Sequence, residues 1–123
     1  MERTVLLYNF DGKRLQAVRK SLSPLGCVIK TVPKKDFDLP IGALLEPDKV
    51  KRTDTPEVTE PFTDEMLVMY GFQGEMIDVL IAALRMGGAG KIALKAIVTE
   101  HNIKWSSTKL YKEIKEEHDL MNK

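Results

Sequence analysis

Apolar and polar positions repeat with two different periods along this chain, and each change of period marks a new element. Residues 4–9, TVLLYN, form a short apolar run that is typical of a strand buried on both faces. Residues 10–26 then repeat leucine and valine at helical spacing, with lysine and arginine on the opposite face. Residues 27–32, CVIKTV, are predicted to form the next strand. Two strands joined by one helix make a right-handed βαβ unit, in which the strands are parallel.

The same succession returns in the second half of the chain. Residues 65–72 are predicted to form a strand and residues 74–88 a helix with a broad apolar stripe. Residues 91–98 give another strand, and residues 106–121 give a final amphipathic helix. The second half is therefore a βαβ unit followed by one more helix.

The bridge between the halves, residues 33–62, has a different composition and contains five of the six prolines. Its later part has little to bury and is predicted to be a mobile surface loop, either disordered or functional as a lid. Its front part, FDLPIGALL, is apolar enough to dock on the domain and to form one short helical turn. We expect a partly mobile, proline-rich loop at about 33–62.

These elements predict one α/β domain over residues 1–123, arranged as βαβ–loop–βαβα. The expected architecture is a three-layer α/β/α sandwich around a four-stranded, mostly parallel sheet with strand order 2-1-3-4. A ferredoxin-like α+β fold is the alternative, because a long connection is also able to return a strand antiparallel.

The predicted sheet indicates where a ligand would bind. In doubly wound sheets, ligands lie beyond the carboxyl ends of the strands at the point where strand order reverses. In the order 2-1-3-4 this point is a crevice between strands one and three, and strand four ends at the same edge. The candidate ligand-binding residues are Asn9, Phe10, Asp11, Tyr70, Gly71, Phe72, Gln73, Thr99, His101 and Asn102.

The stretch TEHNIKW, which follows the last strand, has two interpretations. His101 would serve as a general base if Glu100 or Asp11 oriented it. Alternatively, the stretch is a polar turn in which Asn102 takes a strained backbone conformation and Trp105 packs under the final helix. The sequence places no serine or cysteine nucleophile beside the histidine, so the structural turn is favoured.

Cofactor and metal motifs are incomplete in this sequence. The two histidines, His101 and His118, lack carboxylates at metal-ligand spacing. The run GGAGK at 87–91 lacks the first glycine and the Ser/Thr of a phosphate-binding loop and leads into a strand. GFQGE at 71–75 is better placed, since free amides at a helix N-terminus bind anions. We expect no catalytic residue, no metal and no cofactor.

Charge and cysteine content limit the classes of partner. Residues 1–35 carry a net charge of +6 and residues 36–65 a net charge of −6, which favours self-neutralisation over nucleic-acid binding and is compatible with a weak homodimer. Cys27 is the only cysteine, as expected for a reducing cytoplasm. The first residues lack a signal-peptide pattern, and no apolar run approaches the ~20 residues that span a bilayer.

Four runs carry a family resemblance: LLYNF, PFTDEMLVMYGF, ALRMGGAGKIALKAIVTEHNIKW and LYKEIKEEH. Together they resemble a family of small bacterial proteins catalogued as domain of unknown function 3783. The resemblance implies a bacterial, cytoplasmic, stand-alone protein and carries no activity with it. The residues favour a non-catalytic binding or regulatory module with a protein or small-molecule partner. The alternative is a small enzyme or a nucleotide- or anion-binding protein that uses the crevice.

Overall fold

The computed structural model describes residues 3–45 and 61–121. The strands are Thr4–Tyr8 (β1), Val28–Val32 (β2), Met66–Tyr70 (β3) and Leu94–Ile97 (β4). The helices are Gly12–Leu22 (α1), Ile41–Leu45 (α2), Glu75–Met86 (α3) and Ser107–Met121 (α4). Three short 3-10 turns lie at Ser23–Leu25, Lys34–Asp36 and Asn102–Lys104.

The front of the bridge is folded against the domain. Phe37 and Ile41 are fully buried, and α2 is the short helical turn that the sequence predicted there. The rest of the predicted mobile loop, residues 46–60, lies outside the described residues.

Strand order in the sheet is β2-β1-β3-β4, which confirms the predicted order. β1 and β2 are parallel, and so are β3 and β4. The central pair, β1 and β3, is antiparallel, so the prediction of a mostly parallel sheet is wrong and the sheet is mixed. The crossover rule applies only to strands that are joined within one βαβ unit, where it makes them parallel. The long bridge between the units imposes no such direction, so β3 is able to run antiparallel to β1.

Helices cover both faces of the sheet, so the three-layer architecture is confirmed. On one face, α1 and α3 pack on alternate side chains of β1 and β3. On the other face, the segment from Phe37 to Leu45 and the helix α4 pack on the remaining side chains. The antiparallel third strand is the feature that the ferredoxin-like alternative would explain, but helices on both faces exclude that fold, which keeps its helices on one face.

The two βαβ units repeat each other in sequence and backbone. Residues 8–12, YNFDG, and residues 70–74, YGFQG, place Tyr, Phe and Gly at the same spacing. Both repeats turn through a left-handed residue just after the strand: Asn9 has φ 65° and Gly71 has φ 83°. Glycine reaches this region at no steric cost, and asparagine is among the side chains that tolerate it.

A pseudo-twofold axis relates the two units. It passes through the middle of the central pair, where Leu6 lies opposite Val68, its own counterpart in the repeat. On the α2–α4 face, Pro40 and Ser106 form an isolated antiparallel bridge across the same axis. The domain therefore consists of two similar halves joined antiparallel.

Candidate functional site

The antiparallel central pair separates the residues that the sequence grouped. Tyr8, the last residue of β1, lies opposite Met66, the first residue of β3, so the carboxyl ends of these two strands are at opposite ends of the sheet. The crevice predicted between strands one and three is therefore absent from the described structure. Asn9, Phe10 and Asp11 lie at one end of the sheet, and the other seven candidates lie at the carboxyl ends of β3 and β4, at the other end. The crevice was predicted on the assumption that β1 and β3 are parallel, whereas they are antiparallel.

The parallel pair β3 and β4 does end in a cavity. It has a volume of about 710 Å³ and lies beyond the carboxyl ends of both strands. We call it the β3–β4 groove. Its lining residues are Tyr70, Gly71, Gln73, Val98, Thr99, Glu100, Ile103 and Lys104.

The floor of the groove is apolar. Tyr70 ends β3, and Val98 follows β4, with its backbone N–H donating to the carbonyl of Met69 at 2.9 Å. Ile103 reaches the groove from the 3-10 turn and packs against α2, where a side chain in place of Gly42 would come within 3.4 Å of it. All three side chains on the floor are partly buried.

Polar groups surround this floor. Gln73 and Thr99 contribute neutral side chains, and Glu100 and Lys104 contribute opposite charges. The lining is therefore close to neutral as a whole. An apolar floor with a few polar groups at its edge is the usual composition of a small-ligand site.

The turn after β4 is built by two side chains. Asn102 Oδ1 accepts from the Thr99 backbone N–H at 2.7 Å, and Asn102 Nδ2 donates to the carbonyl of Ile97 at 2.9 Å. Thr99 Oγ1 accepts from the N–H groups of His101 and Asn102, both at 3.2 Å. These bonds position Thr99 and Glu100 on the groove.

Asn102 is buried, but its backbone is not strained, because its φ is not positive. Within the described ranges, Asn9 is the sole non-glycine residue with a positive φ. The strained conformation predicted for Asn102 is wrong, since its side chain rather than its backbone shapes the turn. His101 is exposed and does not line the groove.

Four of the ten candidates line the groove: Tyr70, Gly71, Gln73 and Thr99. Phe72 is instead buried in the core cluster shared by α1 and α3. The sequence candidates omitted four lining residues: Val98, Glu100, Ile103 and Lys104. The position of Glu100, three residues after the end of β4 and next to Thr99, would have indicated it. Ile103 and Lys104 reach the groove only through the fold of the 3-10 turn.

At the opposite end of the sheet, the chain itself packs on Asn9 and Phe10, the first two residues after β1. Asn9 Nδ2 donates to the carbonyls of Phe62 and Asp64, both at 2.9 Å. Phe10 is buried under the Arg14 guanidinium, whose carbon lies 5.9 Å from the ring centre. Asp11 stands at the N-cap of α1 without a side-chain cap bond and is exposed. Of these three residues, Asn9 is the one that holds the segment before β3.

Two reactive side chains lie away from the groove. Lys95 of β4 is on the other face of the sheet, where burial, with the nearby charges of Lys91 and Arg85, lowers its pKa. Cys27 precedes β2, and burial raises the pKa of its thiol, which disfavours the nucleophilic thiolate. Within residues 3–45 and 61–121, no group of three or more His, Cys, Asp or Glu side chains is placed to hold a metal ion.

In the described part of the chain, none of the helices has the length and apolar character needed to cross a membrane.

Comparison with protein-family models identifies a match in the second half of the chain. Residues 65–121 match the model of a family described as Domain of unknown function (DUF3783). The match runs from the residue before β3 to the end of α4 and includes the whole lining of the groove. None of the curated proteins and none of the solved structures matches the chain.

Proposed function

We propose that this chain, whose residues 65–121 match the DUF3783 family model, is a non-catalytic binding module and that its ligand occupies the β3–β4 groove. The observation that carries the proposal is the groove itself. Its volume of about 710 Å³ falls in the range of roughly 300–1,000 Å³ that small-ligand sites occupy. The cytoplasmic location expected from the sequence is part of this proposal.

The lining favours a compact ligand with an apolar body. Tyr70, Val98 and Ile103 offer a surface on which an apolar group loses water contact, and each buried Å² of apolar area contributes about 25 cal/mol. Glu100 and Lys104 provide one charge of each sign at the edge. A neutral or zwitterionic ligand therefore matches the groove better than a strongly charged one.

Binding is a better match than catalysis because the hydroxyl and the amide of the turn beside the floor already hold the backbone of that turn. The Thr99 hydroxyl accepts two backbone N–H groups, and the Asn102 amide bonds two backbone groups of the same turn. A nucleophile requires a base within hydrogen-bond reach, and His101, the histidine of this turn, is outside the lining.

A nucleotide- or anion-binding role is the second candidate, and the electrostatics at α3 weigh against it. An anion at the N-terminus of a helix is stabilised by free N–H groups. The first turn of α3 already carries Glu75 and Asp78, which interact favourably with the helix dipole and repel an added anion. Glu100 in the groove lining adds a further negative charge.

A thermal-shift screen against metabolites and nucleotides tests the proposal, with Gln73→Trp as the paired variant. Gln73 is exposed, and a tryptophan there would fill the groove without removing a core contact. A groove ligand should raise the melting temperature of wild type and not that of Gln73→Trp. At 100 times its Kd, a ligand that binds only the native state adds about 2.7 kcal/mol of stability.

Two outcomes would contradict the proposal. A compound that stabilises both proteins equally binds outside the groove. A compound that is consumed by wild type and spared by Gln73→Trp identifies an enzyme, and the non-catalytic part of the proposal is then wrong.

A further inference from the structure

The pseudo-twofold axis relates the loops after β2 and β4 as well as the strands. Asp36 and Asn102 are both buried, and each carbonyl accepts the N–H of the residue three positions later, at 3.1 Å from Leu39 and 2.9 Å from Trp105. The bridge between Pro40 and Ser106 continues the same alignment. Phe37 is therefore the counterpart of Ile103 in the other half.

As a consequence, the β3–β4 groove has a counterpart at the ends of β1 and β2. In the β3–β4 groove, Tyr70 and Ile103 are part of the floor. The corresponding floor in the other half is formed by Tyr8 and Phe37, whose ring centres lie 5.4 Å apart. The repeat YNFDG and YGFQG places the two tyrosines at the same point relative to the turn that follows them.

This counterpart is occupied by the chain itself. The ring of Phe62 stacks on Phe37 with centres 4.5 Å apart and lies 5.8 Å from the ring of Tyr8. Tyr111 stacks on its other side, with centres 4.1 Å apart and planes only 3° from parallel. Asn9 binds the backbone carbonyls of Phe62 and Asp64 and so holds the segment in place.

We propose that the β3–β4 groove binds an aromatic side chain carried by an extended segment of a partner polypeptide, in the way that its counterpart holds Phe62. This inference rests on the proposed function, because it assigns a ligand class to the same groove. Two features are common to both sites: a tyrosine at the end of the inner strand and a large apolar side chain from the turn after the outer strand. An aromatic ring fits between such groups because it buries a large area with few rotatable bonds.

The backbone contacts of the two sites differ. Gly71 replaces Asn9, so the β3–β4 groove lacks the amide that holds the Phe62 segment. Gln73 and Lys104, which line the groove, have donors of their own for the carbonyls or carboxylates of a bound segment. Because the groove has no counterpart of the Asn9 amide, we expect the aromatic ring to contribute the larger share of the affinity and the backbone of the bound segment the smaller share.

The test uses the full chain, labelled with nitrogen-15, and the neutral peptide acetyl-Pro-Phe-Thr-amide, which copies residues 61–63. Saturable shifts are expected for the amides of Tyr70, Gly71, Val98 and Ile103. The same peptide with alanine in place of phenylalanine should bind at least about tenfold more weakly, a difference of 1.4 kcal/mol. Equal binding of the two peptides overturns the proposal.

N-acetylphenylalaninamide distinguishes a ring alone from a ring on a segment. Weaker binding of this compound than of the peptide supports the polypeptide ligand. If it binds as tightly as the peptide, the segment contributes nothing, and the polypeptide part of the proposal is overturned.

Gln73→Trp and Asp11→Trp form a matched pair, because the two positions correspond in the YNFDG and YGFQG repeats and both are exposed. Gln73→Trp should weaken peptide binding at least tenfold, whereas Asp11→Trp should leave it within about twofold. Undiminished binding to Gln73→Trp contradicts the location.

If the peptide fails to bind wild type but a non-aromatic metabolite stabilises it and not Gln73→Trp, this inference falls and the proposed function stands. If no compound distinguishes the two proteins, both fall.

Discussion

The hydroxyl of Tyr8 and the hydroxyl of Ser107 lie 2.6 Å apart, and both residues are fully buried. The bond joins the last residue of β1 to the first residue of α4 and so connects the two halves of the domain. Burial raises the pKa of the Tyr8 phenol well above its usual range, so this side chain stays neutral under ordinary conditions.

Ser107→Ala should destabilise the domain by about 1–3 kcal/mol, because it leaves the buried Tyr8 hydroxyl without its hydrogen-bond partner. Urea unfolding monitored by circular dichroism measures the change. Tyr8→Phe combined with Ser107→Ala should cost less than the sum of the two single changes, because the double variant leaves no buried hydroxyl unpaired. Strict additivity would show that the bond contributes nothing to stability.

Asn102→Ala should cost about 1–3 kcal/mol, since it leaves a backbone N–H at Thr99 and a carbonyl at Ile97 without their partners. His101→Ala, one position earlier on an exposed side chain, should stay within about 0.5 kcal/mol. Urea melts of the two variants decide. A larger effect for the histidine would mean that the turn is held by something other than the asparagine amide.

Trp105→Ala should destabilise the domain by about 2–3 kcal/mol, somewhat below the ~3–5 kcal/mol of a fully buried tryptophan. The ring is partly buried against the core under α4, and Lys109 Nζ lies 4.6 Å from its centre. Trp105→Phe keeps most of the packing and should cost less. Differential scanning calorimetry compares the three proteins, and identical melting temperatures would contradict this role for the tryptophan.

Gly87→Ala should cost about 1–3 kcal/mol through overpacking. A methyl group there would overlap Ser21 Oγ and lie 2.7 Å from the α-carbon of Ser21, so α1 and α3 would have to move apart. Adding Ser21→Gly should recover only part of the loss, because the backbone of residue 21 would still lie too close to the methyl group. Gly88→Ala is the matched control: it has open space around it, so its cost comes from its positive φ alone and Ser21→Gly should not relieve it.

Stability should fall as pH rises from about 10 towards 12. Burial, followed by the hydrogen bond to Asp64 and the charges of Asp64 and Asp119, raises the pKa of Tyr111 to about 12. The folded state thus retains a proton that the unfolded state loses near pH 10, so the stabilisation is complete below pH 10 and decreases above it. Urea melts at pH 9 and pH 11 measure the fall.

Tyr111→Phe should lessen this decrease, although Tyr8, whose pKa is also raised, preserves part of it. An unchanged slope in Tyr111→Phe would contradict the assignment. The comparison also reports on the stack with Phe62, which phenylalanine retains.

The sequence predicted the elements, their order in the sheet and the layers, because each of these follows from local periodicity and from short connections. It did not predict the direction of β3 relative to β1, because a long bridge joins these strands and the crossover rule does not apply to such a connection. The repeat of YNFDG and YGFQG was the available signal: two copies of one motif are compatible with a twofold arrangement, in which the equivalent inner strands pair antiparallel.

The candidate site was predicted in part for the same reason. Tyr70, Gly71, Gln73 and Thr99 follow parallel strands, and the rule about carboxyl ends applies to them. Asn9 was misplaced because its strand ends at the other side of the sheet. Ile103 was missed because an apolar residue in a polar turn carries no sign of the surface it will join.

The central strand pair has a consequence for what either half would do if it were alone. β1 and β3 satisfy each other's backbone groups across the axis at Leu6 and Val68. A separated βαβ half would expose the inner edge of its strand, with N–H and C=O groups that no longer have partners. A second copy of the same half, turned through the same axis, presents a matching edge. The two halves therefore associate in the same way as the subunits of an isologous dimer. Because they belong to one chain, their association does not depend on protein concentration.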